Sequence, residues 1–138
     1  MNNRVIILNL SVLIILCVVT IISCRKIPCQ EDIYGVWKGE FQDNELLFTF
    51  ESDQTCLLSF TNKESGSVEI LNGNFEINFT KKPIPLSVKN IPQLNHSLYT
   101  IVEFKGRESI RLASFSPRWR LRPLSFNHMT SINLERVQ

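Results

Sequence analysis

Residues 46–80 read LLFTFESDQTCLLSFTNKESGSVEILNGNFEINFT, and their alternation decides the fold. Leu46, Phe48 and Phe50 share one side of an extended chain, while Thr49 and Glu51 point to the other. Cys56, Leu58 and Phe60 repeat the pattern against Ser59 and Thr61, and Phe75, Ile77 and Phe79 repeat it against Glu76, Asn78 and Thr80. Side chains alternate sides along a strand, so period-two runs mark strands with one face on a core and one in water. Turn-forming clusters separate the runs: Gln42-Asp43-Asn44, Ser52-Asp53-Gln54, Lys63-Glu64-Ser65-Gly66, Asn72-Gly73 and Lys105-Gly106-Arg107. Asn72-Gly73 is the strongest of these, because a type I′ hairpin turn needs positive φ at both central positions.

Working outward, Tyr34 to Phe41 forms a first strand, and Ile84, Leu86 and Val88 form another whose Pro83 and Pro85 place it at an edge or a strand entry. Leu98 to Phe104, Ser109 to Phe115, Arg118 to Leu124 and Ser131 to Val137 complete nine or ten short strands, with no amphipathic helix of ten residues after the leader. Sequential hairpins without crossovers predict an all-β fold, a small antiparallel up-and-down barrel of about 8–10 strands following an N-terminal signal helix. A sandwich is the alternative; closure is preferred because it removes exposed strand edges. At about 8 strands the interior is just wide enough for side chains or one small ligand.

The start of the chain sets compartment and anchoring. Arg4 is the only charge before an apolar run from Val5 to Ile22, which closes on Ile21-Ile22-Ser23-Cys24. A charged start, an apolar middle and a small residue before the cut describe an export signal. With a cysteine directly after the cut, the segment resembles a bacterial lipoprotein signal, and the resemblance implies acylation of Cys24. The organisation expected is a signal peptide over 1–23, a tether over 24–32 and a barrel domain over 33–138. An uncleaved anchor is the competing reading, since the run approaches the ~18–20 residues of a spanning helix. Arg25 and Lys26 suit a stop-transfer flank, but the lone Arg4 upstream then conflicts with the positive-inside rule. Two or more acyl chains hold a protein stably at a membrane where one does so marginally. Arg25, not Asp, follows the cysteine; resemblance to sorted lipoproteins then implies an outer-membrane address facing the periplasm.

The 115 residues from Cys24 suffice for one small domain. A net charge of +2 gives a nucleic-acid role no support. Charge is uneven, however: residues 24–82 hold six Lys/Arg against ten Asp/Glu, and 83–138 hold eight against three. The imbalance reads either as a face for an anionic partner or as ordinary solvated charge. Cys17 lies inside the leader, which leaves Cys29 and Cys56. In an exported compartment they are expected to form a disulfide contributing ~3–4 kcal/mol in the chain-entropy model; two unpaired thiols are the alternative.

Tyr34-Gly35-Val36-Trp37-Lys38-Gly39 resembles the Gly-x-Trp opening of lipocalin-like barrels. In those barrels a late Arg packs across the first-strand Trp, so the resemblance implies that Arg136 stacks on Trp37 and closes the base. A guanidinium over an indole face is worth ~0.5–2 kcal/mol. Phe75 to Val137 is also similar to an exported lipocalin-like family abundant in planctomycetes. The features concerned are Lys81-Lys82-Pro83, Leu98-Tyr99-Thr100-Ile101, Gly106-Arg107-Glu108, Ile110-Arg111-Leu112, Arg122-Pro123 and Leu134-Glu135-Arg136. His96-Ser97 replaces that family's Gly before the Tyr strand. That family has no established activity, so the resemblance implies a fold and little more.

No catalytic motif is present, and the chain reads as a non-enzyme without metal or other cofactor. His96 and His128 sit in loop-like stretches without ligand-forming neighbours. Glu40 with Glu45, and Glu103 with Glu108, have the residue types of a glycosidase pair but read as surface carboxylates. Arg118-Trp119-Arg120-Leu121-Arg122 is the segment singled out for function. As a strand it places three arginines on one face, which Arg111 joins from the strand before, and Trp119 and Leu121 on the other. The arginine face suits phosphate or carboxylate; alternatively Trp119 and Leu121 anchor the core while the arginines pair with Glu103 or Glu135. The partners expected are a membrane through the lipid anchor, and a small apolar ligand inside the barrel or an envelope protein on its surface. An inhibitor or structural role through the Arg118–Arg122 face is the second functional reading.

Overall fold

The alternating runs become strands whose apolar side points inward. The computed structural model describes residues 27–138; the leader, Cys17 and Cys24 lie outside the described residues. A 3-10 turn at Gln30–Asp32 precedes eight strands: β1 (Gly35–Phe41), β2 (Asn44–Phe50), β3 (Thr55–Asn62), β4 (Val68–Ile77), β5 (Ile84–Lys89), β6 (Leu98–Phe104), β7 (Ser109–Leu112) and β8 (Ile132–Arg136). Each pairs antiparallel with its chain neighbours, and β8 returns to pair with β1, so the sheet is a closed up-and-down barrel. Tight turns hold the hairpins. In the β2–β3 turn, Asp53 Oδ1 accepts hydrogen bonds from the Thr55 hydroxyl at 2.6 Å and the Thr55 amide at 2.9 Å. These bonds, the hydroxyl's first, hold the Asp53 carboxyl below its usual range.

Side chains fill the interior. Trp37, Phe48, Phe50 and Phe75 are fully buried together with Leu46, Leu58, Leu86, Ile110, Leu112 and Leu134. The rings meet edge to face, Phe50 with Phe75 at 5.1 Å and Phe48 with Phe60 at 5.4 Å between centroids, the arrangement that aromatic quadrupoles favour. Thr100, wholly buried, satisfies its hydroxyl by donating to the Ala113 carbonyl at 2.8 Å.

The base of the barrel is closed by its first and last strands. Trp37 and Arg136 are register partners, and the guanidinium carbon lies 4.3 Å from the Trp37 ring centroid. Arg136 also donates from Nη1 to the Tyr34 carbonyl at 2.6 Å, from Nη2 to the Asp32 carbonyl at 2.8 Å and from Nε to the Arg107 carbonyl at 3.0 Å. Trp37 Nε1 donates to the Ile33 carbonyl at 2.8 Å. One cation therefore joins the entering chain, the β6–β7 turn and the indole, and orphan carbonyls that would be costly to bury find donors.

Two sequence expectations are corrected. Asn72-Gly73 is not a turn: it lies within β4, where Gly73 pairs with Cys56 and Asn72 with Leu57. A Cβ at Gly73 would stand 2.7 Å from the Lys89 carbonyl oxygen, so the glycine serves close backbone approach. The β3–β4 turn is the Lys63-Glu64-Ser65-Gly66 cluster read from the sequence, where Asn62 Oδ1 accepts from the amides of Glu64 and Ser65. Residues 118–124 form no strand. Pro117 and Pro123 bracket them, and pairing of β8 with both β7 and β1 leaves no free edge for a ninth strand.

Candidate functional site

Residues 113–131, between β7 and β8, make the longest connection among the described residues, and they build the site. The loop first follows β6, with Ser116 and Tyr99 exchanging backbone hydrogen bonds at 2.9 Å. It then runs down the outer wall of β5 and β6, where Ile101 is buried on the side away from the core. Arg122 pins it there: Nη2 donates to Ser87 Oγ at 2.7 Å, and the guanidinium sits 5.3 Å from the Tyr99 ring centroid. Burial pulls the Arg122 pKa down, partly offset by Tyr99, but arginine stays protonated in proteins.

Between this loop and the β4–β5 connection lies a groove of about 740 Å³, lined by Lys81, Lys82, Trp119, Arg120, Arg122 and Leu124 among others. Glu76, the only carboxylate in its lining, is taken by Lys89 at 2.6 Å. Among the described residues, neither the two lysines nor Arg118, Arg120 and Arg122 has a carboxylate partner. Trp119–Leu121 is a single 3-10 turn. Trp119 is 65 % and Leu121 64 % exposed, so neither anchors the core. The groove thus offers unneutralised cations beside exposed apolar surface.

The sequence-expected arginine face is therefore rearranged. Arg118, Arg120 and Arg122 belong to one loop rather than one strand face, and Arg122 is half-buried while the other two are exposed. Arg111 stands apart: its Nη2 lies 2.9 Å from Glu103 Oε2, and its guanidinium covers the Phe126 ring at 4.3 Å. The Glu103 oxygen has no aligned hydrogen bond, so charge rather than a directed bond holds that pair. Lys81 and Lys82 are site residues that the sequence reading does not single out. The signal that points to the region is the absence of any Asp or Glu from Ser109 to Leu134, against four arginines.

The acidic pairs are matched on the outer wall. Glu40 and Glu45 face each other across the β1–β2 hairpin, and each takes its own lysine, Lys63 at 2.6 Å and Lys38 at 2.7 Å. The hydrogen bond and charge of Lys38 hold the Glu45 carboxyl below its ordinary value, opposite to what a general acid needs. Among the described residues no group of three or more His, Cys, Asp or Glu side chains is placed to hold a metal ion.

The bridge expected between Cys29 and Cys56 is not formed; both are free thiols. Cys56 acts as a small apolar residue on the inner side of β3, while Cys29 begins the 3-10 turn, its amide donating to Asp32 Oδ2 at 2.8 Å. Burial pushes the Cys56 thiol up to about 12, so little of it is the reactive thiolate near neutrality. Brief alkylation of the native protein at pH 8, followed by peptide mass mapping, is expected to label Cys29 and to reach Cys56 only after denaturant. Equal native labelling, or a Cys29–Cys56 linked peptide, is the contrary result.

Comparison of the chain with protein-family models, with curated proteins and with solved structures gives no match.

Proposed function

We propose that this chain is a membrane-tethered, envelope-facing binding module that works without catalysis, and that its ligand sits in the groove beside the Trp119 turn rather than inside the barrel. The observation that carries the reading is the contrast between a filled interior and an outer groove whose lysines and arginines have no carboxylate partners among the described residues. Such cations recognise phosphate or carboxylate, and the exposed indole and leucine beside them suit an apolar portion of the same partner. A lipocalin-like reading of the barrel is supported by the first-strand Trp37 lying under the last-strand Arg136. The tether rests on the Cys24 tetrapeptide and the apolar run before it, and the outer-membrane address on Arg25 alone.

Two measurements test the proposal. Cys24→Ala is expected to abolish fatty-acid incorporation and to shift the protein out of the membrane fraction; a variant that keeps its acyl mass overturns the lipid tether. Native mass spectrometry of the detergent-extracted chain tests the site. Any retained small molecule should be lost when Lys81, Lys82 and Arg120 are all changed to Ser. Retention unaltered in that variant places the ligand in the barrel and overturns the groove reading.

A further inference from the structure

We infer that the segment from Ser116 to Leu124 docks on an anionic bilayer surface, with the groove's cations on lipid phosphates and Trp119, Leu121 and Leu124 in the interfacial layer. This rests on the groove being the binding face, and it names the partner. Exposed apolar side chains, uncompensated charge and the direction of the tether together favour a membrane surface over an acidic protein.

The first is composition in space. Leu124 is 83 % exposed, and with Trp119 and Leu121 it puts three large apolar side chains in water within six residues of one loop. Large apolar groups left in water in one region mark an interaction surface. Trp119 and Leu121 alternate with Arg118, Arg120 and Arg122 between Pro117 and Pro123. Alternating Arg and bulky apolar residues, with a Trp, suit an interface where one end of each side chain is wet and the other greasy.

The second is charge. No carboxylate occurs from Ser109 to Leu134, and the single acid in the groove is neutralised by Lys89. Among the described residues, Lys81, Lys82, Arg118 and Arg120 therefore present their charge outward without a carboxylate partner. A surface of phosphates offers counter-charge over that whole width, and attraction grows with each Lys or Arg near it.

The third is direction. In an up-and-down barrel the β4–β5 connection, which carries Lys81 and Lys82, lies at the end where β1 begins. That is also where Arg136 holds the entering chain by the Asp32 and Tyr34 carbonyls. Pro28, only four residues after Cys24, lies beside Asp32 and the β6–β7 turn at this end. If Cys24 carries the lipid tether proposed above, the membrane it enters faces the cationic mouth of the groove.

Fluorescence separates this from the tether. Trp37 is wholly buried and Trp119 mostly exposed, so quenching by brominated acyl chains reports Trp119. The full chain is reconstituted with phosphatidylcholine vesicles, or with vesicles also containing phosphatidylglycerol. Quenching should be roughly twofold or more stronger with the anionic lipid. Trp119→Phe should remove it. Changing Lys81, Lys82 and Arg120 together to Ser should remove the dependence on lipid charge, in a protein whose circular dichroism still shows the barrel. Unquenched Trp119 in both vesicle types overturns the inference, as does equal quenching in both. A blue shift with soluble polyglutamate but not with vesicles overturns it in favour of an acidic protein. Flotation reports the tether separately. A chain that floats with both vesicle types while Trp119 stays unquenched loses the docking loop alone. A chain that fails to float with neutral vesicles loses the tether, and quenching on anionic ones still decides the loop.

Discussion

Trp37→Ala is expected to lower the stability of the barrel by about 3–5 kcal/mol, the range for removing a large aromatic from a core. The site is unfavourable for relaxation. Trp37 is fully buried, its Nε1–H satisfies the Ile33 carbonyl, and its ring carries the Arg136 guanidinium at 4.3 Å. Alanine therefore leaves a void, an unsatisfied carbonyl and a cation without its aromatic face. A small domain has about 5–15 kcal/mol in total, so most of the folded population is at risk near physiological temperature. Thermal unfolding followed by far-ultraviolet circular dichroism should show a midpoint lower by on the order of 15 °C or more. Trp37→Phe keeps an aromatic ring beneath Arg136 and should lose less. Trp37→Ala combined with Arg136→Ala should cost less than the sum of the two alone, because both remove one shared contact. A Trp37→Ala loss below ~1 kcal/mol would contradict the part assigned to this residue.

The same residues show how much of the molecule is legible in the chain. Trp37 and Arg136 are 99 positions apart, yet the Gly-x-Trp opening and the late Arg suggest their contact through resemblance alone. The strands Leu46–Phe50, Cys56–Phe60 and Phe75–Ile77 are legible because one face meets a core and the other meets water, which writes period two into the sequence. Asn72-Gly73 misleads because the pair has two physical uses. Glycine is needed where φ is positive, and equally where another backbone passes too close for a Cβ. Only the position of Lys89 across the sheet decides between them.

The loop at 113–131 is illegible for a different reason. Arg118-Trp119-Arg120-Leu121-Arg122 alternates as a strand does, but alternation describes the environment of an extended segment only if that segment is paired. Pairing of β7 with β8 is a long-range choice that excludes the intervening residues from the sheet. Their exposed Trp and Leu then carry no fold information and are free to serve a surface. Lys81 and Lys82 join the site only because the loop folds down the outer wall to meet the β4–β5 connection, a neighbourhood that no spacing in the sequence encodes.

Gly39→Ala is expected to open the barrel at its seam, although alanine ordinarily stabilises a strand by removing unfolded-state freedom. Gly39 pairs with Leu134 in the short β1–β8 ladder, which has only Trp37–Arg136 and Lys38–Glu135 besides. A Cβ there would stand 2.3 Å from the Asn133 carbonyl oxygen and 2.7 Å from Leu134 Cδ2. The leucine tip can turn aside. The carbonyl is backbone of the partner strand, so relief requires β1 and β8 to separate. Overpacking of this kind costs about 1–3 kcal/mol and sometimes more, and here it falls on the ladder that turns an open sheet into a barrel. The local signature should be faster hydrogen exchange at the Val137 amide, which donates to the Val36 carbonyl at 2.8 Å beside the seam. Gly66→Ala is the control: Gly66 has φ of +69° and no neighbour within 4 Å of where a methyl group would stand, so it isolates the cost of left-handed backbone from that of a clash. That cost is about 1 kcal/mol. The urea midpoint should fall further for Gly39→Ala than for Gly66→Ala, and the Val137 amide should lose protection selectively in the former. Equal midpoints with unchanged exchange at Val137 would mean that the seam tolerates the methyl group and that closure does not depend on the close approach of β8 to Gly39.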